Sequence, residues 1–190
     1  MSFVLKKPKF SLVPKGTTEL YCLHIGLESL EGCPSSVKVL NCSNNKLTSL
    51  KGCPPSVKKL YCSSNQLTSL EGCPPSVQVF DCSSNQLTSL EGCPPSVKNL
   101  YCYTNQLTSL EGCPSSVHYL NYDNNPLDPN GINTLEKVKE HNFKKGIEKV
   151  KNVLFLWALT TIQRRFWERM HRPGGKLMLR EMERCVSMMT

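Results

Sequence analysis

The stretch Val57-Lys58-Lys59-Leu60-Tyr61-Cys62-Ser63-Ser64-Asn65-Gln66-Leu67-Thr68-Ser69-Leu70-Glu71-Gly72-Cys73-Pro74-Pro75-Ser76 is followed at once by a near copy that opens Val77-Gln78-Val79-Phe80-Asp81-Cys82-Ser83-Ser84-Asn85. The copying extends in both directions. Cys22, Cys42, Cys62, Cys82 and Cys102 are twenty residues apart, and so are Cys33, Cys53, Cys73, Cys93 and Cys113. Leu47-Thr48-Ser49-Leu50 recurs from Leu67, Leu87 and Leu107. A fixed period of this length marks a stacked repeat architecture. Six units begin near Thr17, Val37, Val57, Val77, Val97 and Val117, and Phe10 to Gly16 reads as the second half of an earlier, degraded unit. The expected organisation is a cap over residues 1–16, a solenoid over 17–132 and a C-terminal segment over 133–190.

Within a unit, Val37, Leu40 and Cys42 alternate inward along a short strand and leave Val39, Asn41 and Ser43 outward. Stacked units place such strands about 4.8 Å apart in a parallel sheet. No unit buries its apolar edge alone, so the stack shares one core. Asn45, Asn65, Asn85, Asn105 and Asn125 are placed to form an internal ladder that satisfies backbone groups where the chain turns. The glycines at 32, 52, 72, 92 and 112 permit a tight bend. Pro54-Pro55, Pro74-Pro75 and Pro94-Pro95 favour an extended back segment and oppose a helix there.

Each unit has the form V-x-x-L-x-C-x-x-N-x-L-T-S-L-x-G-C-P-P-S, which is similar to the leucine-rich-repeat pattern L-x-x-L-x-L-x-x-N-x-L. It departs from that pattern in the cysteine at the third leucine, in Phe80, and in Ile25 where asparagine is usual. The short second half resembles the compact twenty-residue class of bacterial effectors. The wording L-T-S-L-x-G-C-P-x-S-V also resembles repeat proteins encoded by large DNA viruses of amoebae. The resemblance implies an α/β-type repeat solenoid with a short parallel β-sheet, an extended non-helical convex side, C-terminal helices and a protein partner.

Comparison of the units with one another shows where they vary. The framework is nearly constant, and Leu67 to Val77 is identical to Leu87 to Val97. The outward positions differ. One column reads Glu19, Val39, Lys59, Val79, Asn99, Tyr119; the next reads Tyr21, Asn41, Tyr61, Asp81, Tyr101, Asn121; the third reads Leu23, Ser43, Ser63, Ser83, Tyr103, Asp123. Exposed positions drift in many proteins, yet Glu71, Glu91 and Glu111 on the turn barely vary. Tyrosine supplies contact area and a hydrogen-bonding tip, which suits recognition. Tyr21, Lys59, Tyr61, Asp81, Tyr101, Tyr103, Tyr119 and Asp123 are therefore the candidate partner-binding residues.

The repeat wording ends at Asn125-Pro126-Leu127-Asp128-Pro129-Asn130-Gly131, a turn-rich stretch. A helix is expected next, capped by Asn133 with Glu136 three residues on. Leu135, Val138 and Phe143 form its first apolar stripe, and Ile147, Val150, Leu154, Trp157, Ile162, Phe166 and Met170 continue it, with Gly146 as a break and Pro173-Gly174-Gly175 as the stop. A last short helix would present Leu177, Met178, Met182, Val186 and Met189. The first half of the long helix is expected to cap the solenoid. Its second half offers Trp157, Arg164, Arg165, Phe166, Trp167, Arg169 and Arg172 as a docking element, which gives the alternative of a structural component in a larger assembly such as a virion. The same basic residues have the charge to hold nucleic acid or acidic membrane, although a solvated face is the more frequent reason for such a pattern.

Composition sets the remaining bounds. Residues 1–132 hold ten Lys/Arg against nine Asp/Glu, and residues 133–190 hold thirteen against six, so the net charge of +8 belongs to the C-terminal segment. The longest apolar run, Val153 to Leu159, is seven residues, against the ~20 that span a bilayer. Met1 to Lys9 lacks a signal peptide's apolar stretch. The compartment is read as intracellular, cytoplasmic and reducing, with the cysteines as thiols. Catalysis finds no motif: there is no phosphate loop, no paired-carboxylate signature, and four scattered histidines, His24, His118, His141 and His171. No cofactor or metal is expected, since no C-x-x-C pair or histidine cluster accompanies the cysteines. Thiols serve here as small core hydrophobes. A thiol titration under denaturing, non-reducing conditions is expected to return all eleven cysteines; a recovery far below that number assigns them to disulfides.

Overall fold

A computed structural model describes residues 1–170, with side chains as far as Arg165. Seven short strands follow one another: β1 (Ser2–Val4), β2 (Glu19–Tyr21), β3 (Val39–Asn41), β4 (Lys59–Tyr61), β5 (Val79–Asp81), β6 (Asn99–Tyr101) and β7 (Tyr119–Asn121). They form a single parallel sheet in sequence order. The register never slips: Leu20, Leu40, Leu60, Phe80, Leu100 and Leu120 stand opposite one another across successive strands. Leu20 to Leu100 are fully buried and Leu120 partly so, and a one-residue slip would turn these side chains to solvent, which is why the repeat holds its register.

The return path between strands contains no helix except a 3-10 turn at Phe10–Leu12. Each unit comes back through two consecutive turns. In the second unit, the Cys53 N–H bonds the Leu50 carbonyl at 3.0 Å, and the Val57 N–H that opens the next unit bonds the Pro54 carbonyl at 3.1 Å. Gly52 sits third in the first turn at φ +85°, the place where a type II turn requires a positive φ. A Cβ there would stand 2.7 Å from the Glu31 backbone nitrogen of the unit below. Gly52 is thus demanded twice, by conformation and by the closeness of the stack.

The core is one column of fully buried side chains. Each unit adds a set like Val57, Leu60, Cys62, Leu67 and Leu70. The thiols of Cys22, Cys42, Cys62 and Cys82 each donate to the carbonyl of the next strand, at 3.3–3.4 Å. Beside this column runs the asparagine ladder. Asn85 donates to the carbonyls of Cys62 and Cys82, both at 3.1 Å, and its Oδ1 accepts the Leu67 N–H at 3.0 Å. Asn65, Asn105 and Asn125 repeat this pattern. Asn45 does so too and accepts Ile25 N–H in addition, in the unit that lacks its own asparagine. The residue before each rung (Asn44, Ser64, Ser84, Thr104, Asn124) is left-handed, at φ 52° to 58°, a conformation that costs a non-glycine residue about 1–2 kcal/mol. The ladder supplies the bonds that hold it.

Both ends differ from expectation. At the N-terminus, Ser2–Val4 form a complete first strand, which pairs with β2 through Phe3 opposite Leu20. Leu5 and Phe10 are buried beneath it. At the C-terminus, α1 (Leu135–Met170) runs unbroken through Gly146. Its cap is Thr134 and not Asn133: the Thr134 hydroxyl accepts the Lys137 N–H at 3.2 Å. Asn133 instead donates to the carbonyls of Asp128 and Pro129, both at 2.9 Å, which closes the preceding loop. The capping stripe is also shorter than predicted. Val138 is buried and Leu127, Ile132 and Leu135 pack against the core, but Phe143 is 69% exposed. The end of a solenoid is one unit across, so two helical turns suffice to cover it.

The chain divides into two compact units, Met1–Asn142 and Phe143–Thr190. In the first, Asn142 Nδ2 donates to the Cys113 carbonyl at 2.9 Å. The Pro173-Gly174-Gly175 stop, the apolar positions from Leu177 to Met189, Cys185 and Arg172 lie outside the described residues.

Replacing Asn85 with Ala leaves the buried Leu67 N–H unpaired and takes one of two donors from each of the Cys62 and Cys82 carbonyls, which Asn65 and Asn105 still bond, and is expected to cost about 2 kcal/mol or more in urea unfolding. A loss below about 1 kcal/mol would show that the ladder is not what holds the units. Burial pushes the thiols of Cys22, Cys33, Cys73, Cys102 and Cys113 from the ordinary 9.0 up to about 12, with a charge on Cys33 also acting on Cys22. Burial likewise raises Cys42, Cys62 and Cys82. Between pH 9.0 and about 12 the unfolded chain releases these protons and the folded chain keeps them. Stability is therefore whole below that window and falls within it, by about 1.4 kcal/mol per thiol per pH unit. Unfolding midpoints measured from pH 8 upward are expected to drop steeply, and a flat profile would mean the thiols are not buried.

Candidate binding face

Strand alternation turns the middle residue of each strand inward and its two neighbours outward. The fixed register converts those neighbours into two straight rows. The first reads Ser2, Glu19, Val39, Lys59, Val79, Asn99, Tyr119; the second reads Val4, Tyr21, Asn41, Tyr61, Asp81, Tyr101, Asn121. Six of the candidate residues, Tyr21, Lys59, Tyr61, Asp81, Tyr101 and Tyr119, stand in these rows. Tyr21, Tyr61, Asp81 and Tyr101 are half-buried, whereas Lys59 and Tyr119 are exposed. The rings of Tyr101 and Tyr119 lie 5.2 Å apart at 45°, a tilted pair joining the two rows across β6 and β7.

The third column is not uniformly outward. Tyr103 is half-buried and Asp123 exposed, but Ser43 and Ser83 are buried. The reason is a local turn in which a row residue bonds the backbone two positions on. Asp81 Oδ1 accepts the Ser83 N–H at 3.1 Å and the Ser83 hydroxyl at 2.6 Å. Asn41 accepts the Ser43 N–H at 3.1 Å, and Asn121 accepts the Asp123 N–H at 3.3 Å. In the units of Asn41 and Asp81 the third-column serine is thereby drawn beneath the second row, whereas Asp123 stays exposed although Asn121 makes the same bond. Ser2 and Val4 extend the face by a strand that the repeat wording does not announce. The alternation of Phe3 and Leu5 was its only sequence signal.

The C-terminal candidates sit elsewhere, on α1. Trp157 is 67% exposed and shares one shallow cleft with Thr160, Thr161, Arg164 and Arg165. Phe143, Ile147, Val150, Leu154 and Ile162 are exposed as well. The side chains of Phe166, Trp167 and Arg169 are outside the described residues. Among the described residues no helix is long and apolar enough to cross a membrane. No group of three His, Cys, Asp or Glu among them is arranged to hold a metal ion.

No family model and no curated protein matches the chain. Among solved structures, it is similar to YopM from Yersinia enterocolitica WA-314, with a TM-score of 0.55 and 30% identity. The match covers 60% of this chain and 26% of that one, so the chain spans about a quarter of the structure it resembles. With that likeness added to an unslipped parallel sheet and a rung of asparagine per unit, the fold is a leucine-rich-repeat solenoid ending in a helix.

Proposed function

We propose that the protein is a non-enzymatic binding module that captures a protein partner on the two rows of its strand face. The observation that supports this reading is where the variation falls: the buried framework repeats nearly unchanged, while the in-register outward rows collect tyrosines and charges. Size narrows the partner's shape. Seven strands span roughly 29 Å and three residues about 10 Å, dimensions that fit one α-helix or one extended segment. A whole globular interface, at ~800 Å² per partner, would need flanking surface too.

A second reading has its own support. The exposed apolar residues of α1, Phe143, Ile147, Val150, Leu154 and Trp157, favour a docking element in a larger assembly, a virion among the alternatives. The basic residues around them keep nucleic acid or an acidic membrane as further alternatives, which a steep loss of affinity with salt would reveal.

Capture from the cells of origin, followed by mass spectrometry, separates the two. Replacing Tyr61, Tyr101 and Tyr103 together with Ser is expected to reduce capture at least ~tenfold while stability stays within about 1 kcal/mol of the parent. Leu154→Glu with Trp157→Glu is expected to leave capture intact. The opposite pattern, with tyrosine variants capturing normally and helix variants failing, replaces the face with the helix as the functional surface.

A further inference from the structure

Asp81 is the sole carboxylate of the second row, and both strands beside it carry tyrosine there: Tyr61 on β4 and Tyr101 on β6. Its orientation is set from inside. Ser83, fully buried, donates its N–H and its hydroxyl to the same oxygen, Oδ1. The other oxygen, Oδ2, has no hydrogen-bond partner among the described residues. Asp81 enters no ion pair among them either: Lys51 pairs with Glu71 at 3.2 Å and His141 with Glu111 at 3.5 Å, both away from the rows. Lys59, diagonal to Asp81 in the first row, is exposed. The face thus presents one oriented, unneutralised negative charge between two aromatic side chains.

The spacing decides what such a place can hold. Tyr61 and Tyr101 stand two strands apart, about 9.6 Å between strand axes. Side chains rise roughly perpendicular to a sheet, so the two rings bound a slot a little wider than a planar group with a ring packed on each side. Tyr101 is steadied from the far side by Tyr119, with ring centroids at 5.2 Å. A cation over a tyrosine face is attracted by the ring quadrupole. A guanidinium combines what this slot asks for: it is planar, stacks on aromatic faces and donates to a carboxylate. A lysine ammonium is a compact, strongly hydrated charge and uses the rings less well.

We propose that Tyr61, Asp81 and Tyr101 form a receptor for the guanidinium of an arginine carried by the protein partner, an inference that rests on the strand face being the binding surface. The arginine enters between the rings, stacks on them and donates to Asp81 Oδ2, while Ser83 keeps the carboxylate from turning.

The direct test needs no partner. The full chain, labelled at its tyrosine rings and held at low ionic strength, is titrated with Nα-acetyl-arginine-amide and with its neutral isostere Nα-acetyl-citrulline-amide, and read by NMR. The arginine compound is expected to shift the Tyr61 and Tyr101 rings saturably, and the citrulline compound is not. Asp81→Asn is expected to weaken the arginine response at least ~tenfold. That variant keeps the fold, because Asn41 and Asn121 already make the same bond in their own units. Glu91→Gln, an exposed acid on the turn, is expected to change nothing. An equal response to citrulline, or an arginine response untouched by Asp81→Asn, overturns the receptor. If that happens while the tyrosine variants still lose partner capture, the receptor falls and the binding face stands. If arginine binds as described while the tyrosine variants capture normally, the binding face falls, and the assignment of the receptor to a partner falls with it.

Discussion

The asparagine rung is the interaction on which the rest of the structure depends. A single side chain bonds the cysteine carbonyls of its own unit and of the unit before, and accepts a backbone N–H from that earlier unit. All three partners are buried where no water reaches them. Without the rung, the left-handed residue beside it would keep its strain and lose its support. The register of the sheet, the alignment of the cysteine column and the straightness of the outward rows all follow from this one geometry repeated.

This arrangement explains why cysteine serves where leucine is usual. The position is fully buried in the column, and a thiol is small, apolar and able to give its one proton to the neighbouring strand's carbonyl. Burial holds the proton on the sulfur and so keeps the column chemically quiet. The second column, Cys33 to Cys93, lies half-buried near the back turns, and burial raises its thiols as well.

Most of the fold was legible because the repeat states it five times over. The parts that were not legible lie where the repetition fails. Phe3 lies seventeen residues before its register partner Leu20, while all later partners are twenty apart, so a search by period passes over β1. Asn133 and Thr134 are both good caps, and the choice between them is made by the Asp128–Pro129 loop, which takes Asn133 for itself. Gly146 does not interrupt α1, since a glycine weakens a helix without removing any hydrogen bond. The rows of the face were readable from alternation alone. The inward curl at Ser43 and Ser83 was not, because it is set by what a neighbouring Asn or Asp does with its side chain.

The uniform step between units has a consequence for how such a face can change. Position along it is metered, with graduations of about 4.8 Å, and every internal bond links a unit only to its neighbours. Duplicating or losing a unit would slide all the groups beyond it by one whole graduation, with no contact inside the stack disturbed. The face then works as a ruler whose markings are single residues, Tyr61, Asp81 and Tyr101 among them. A new spacing between two markings is reached by a copying error in the gene more readily than by any set of substitutions.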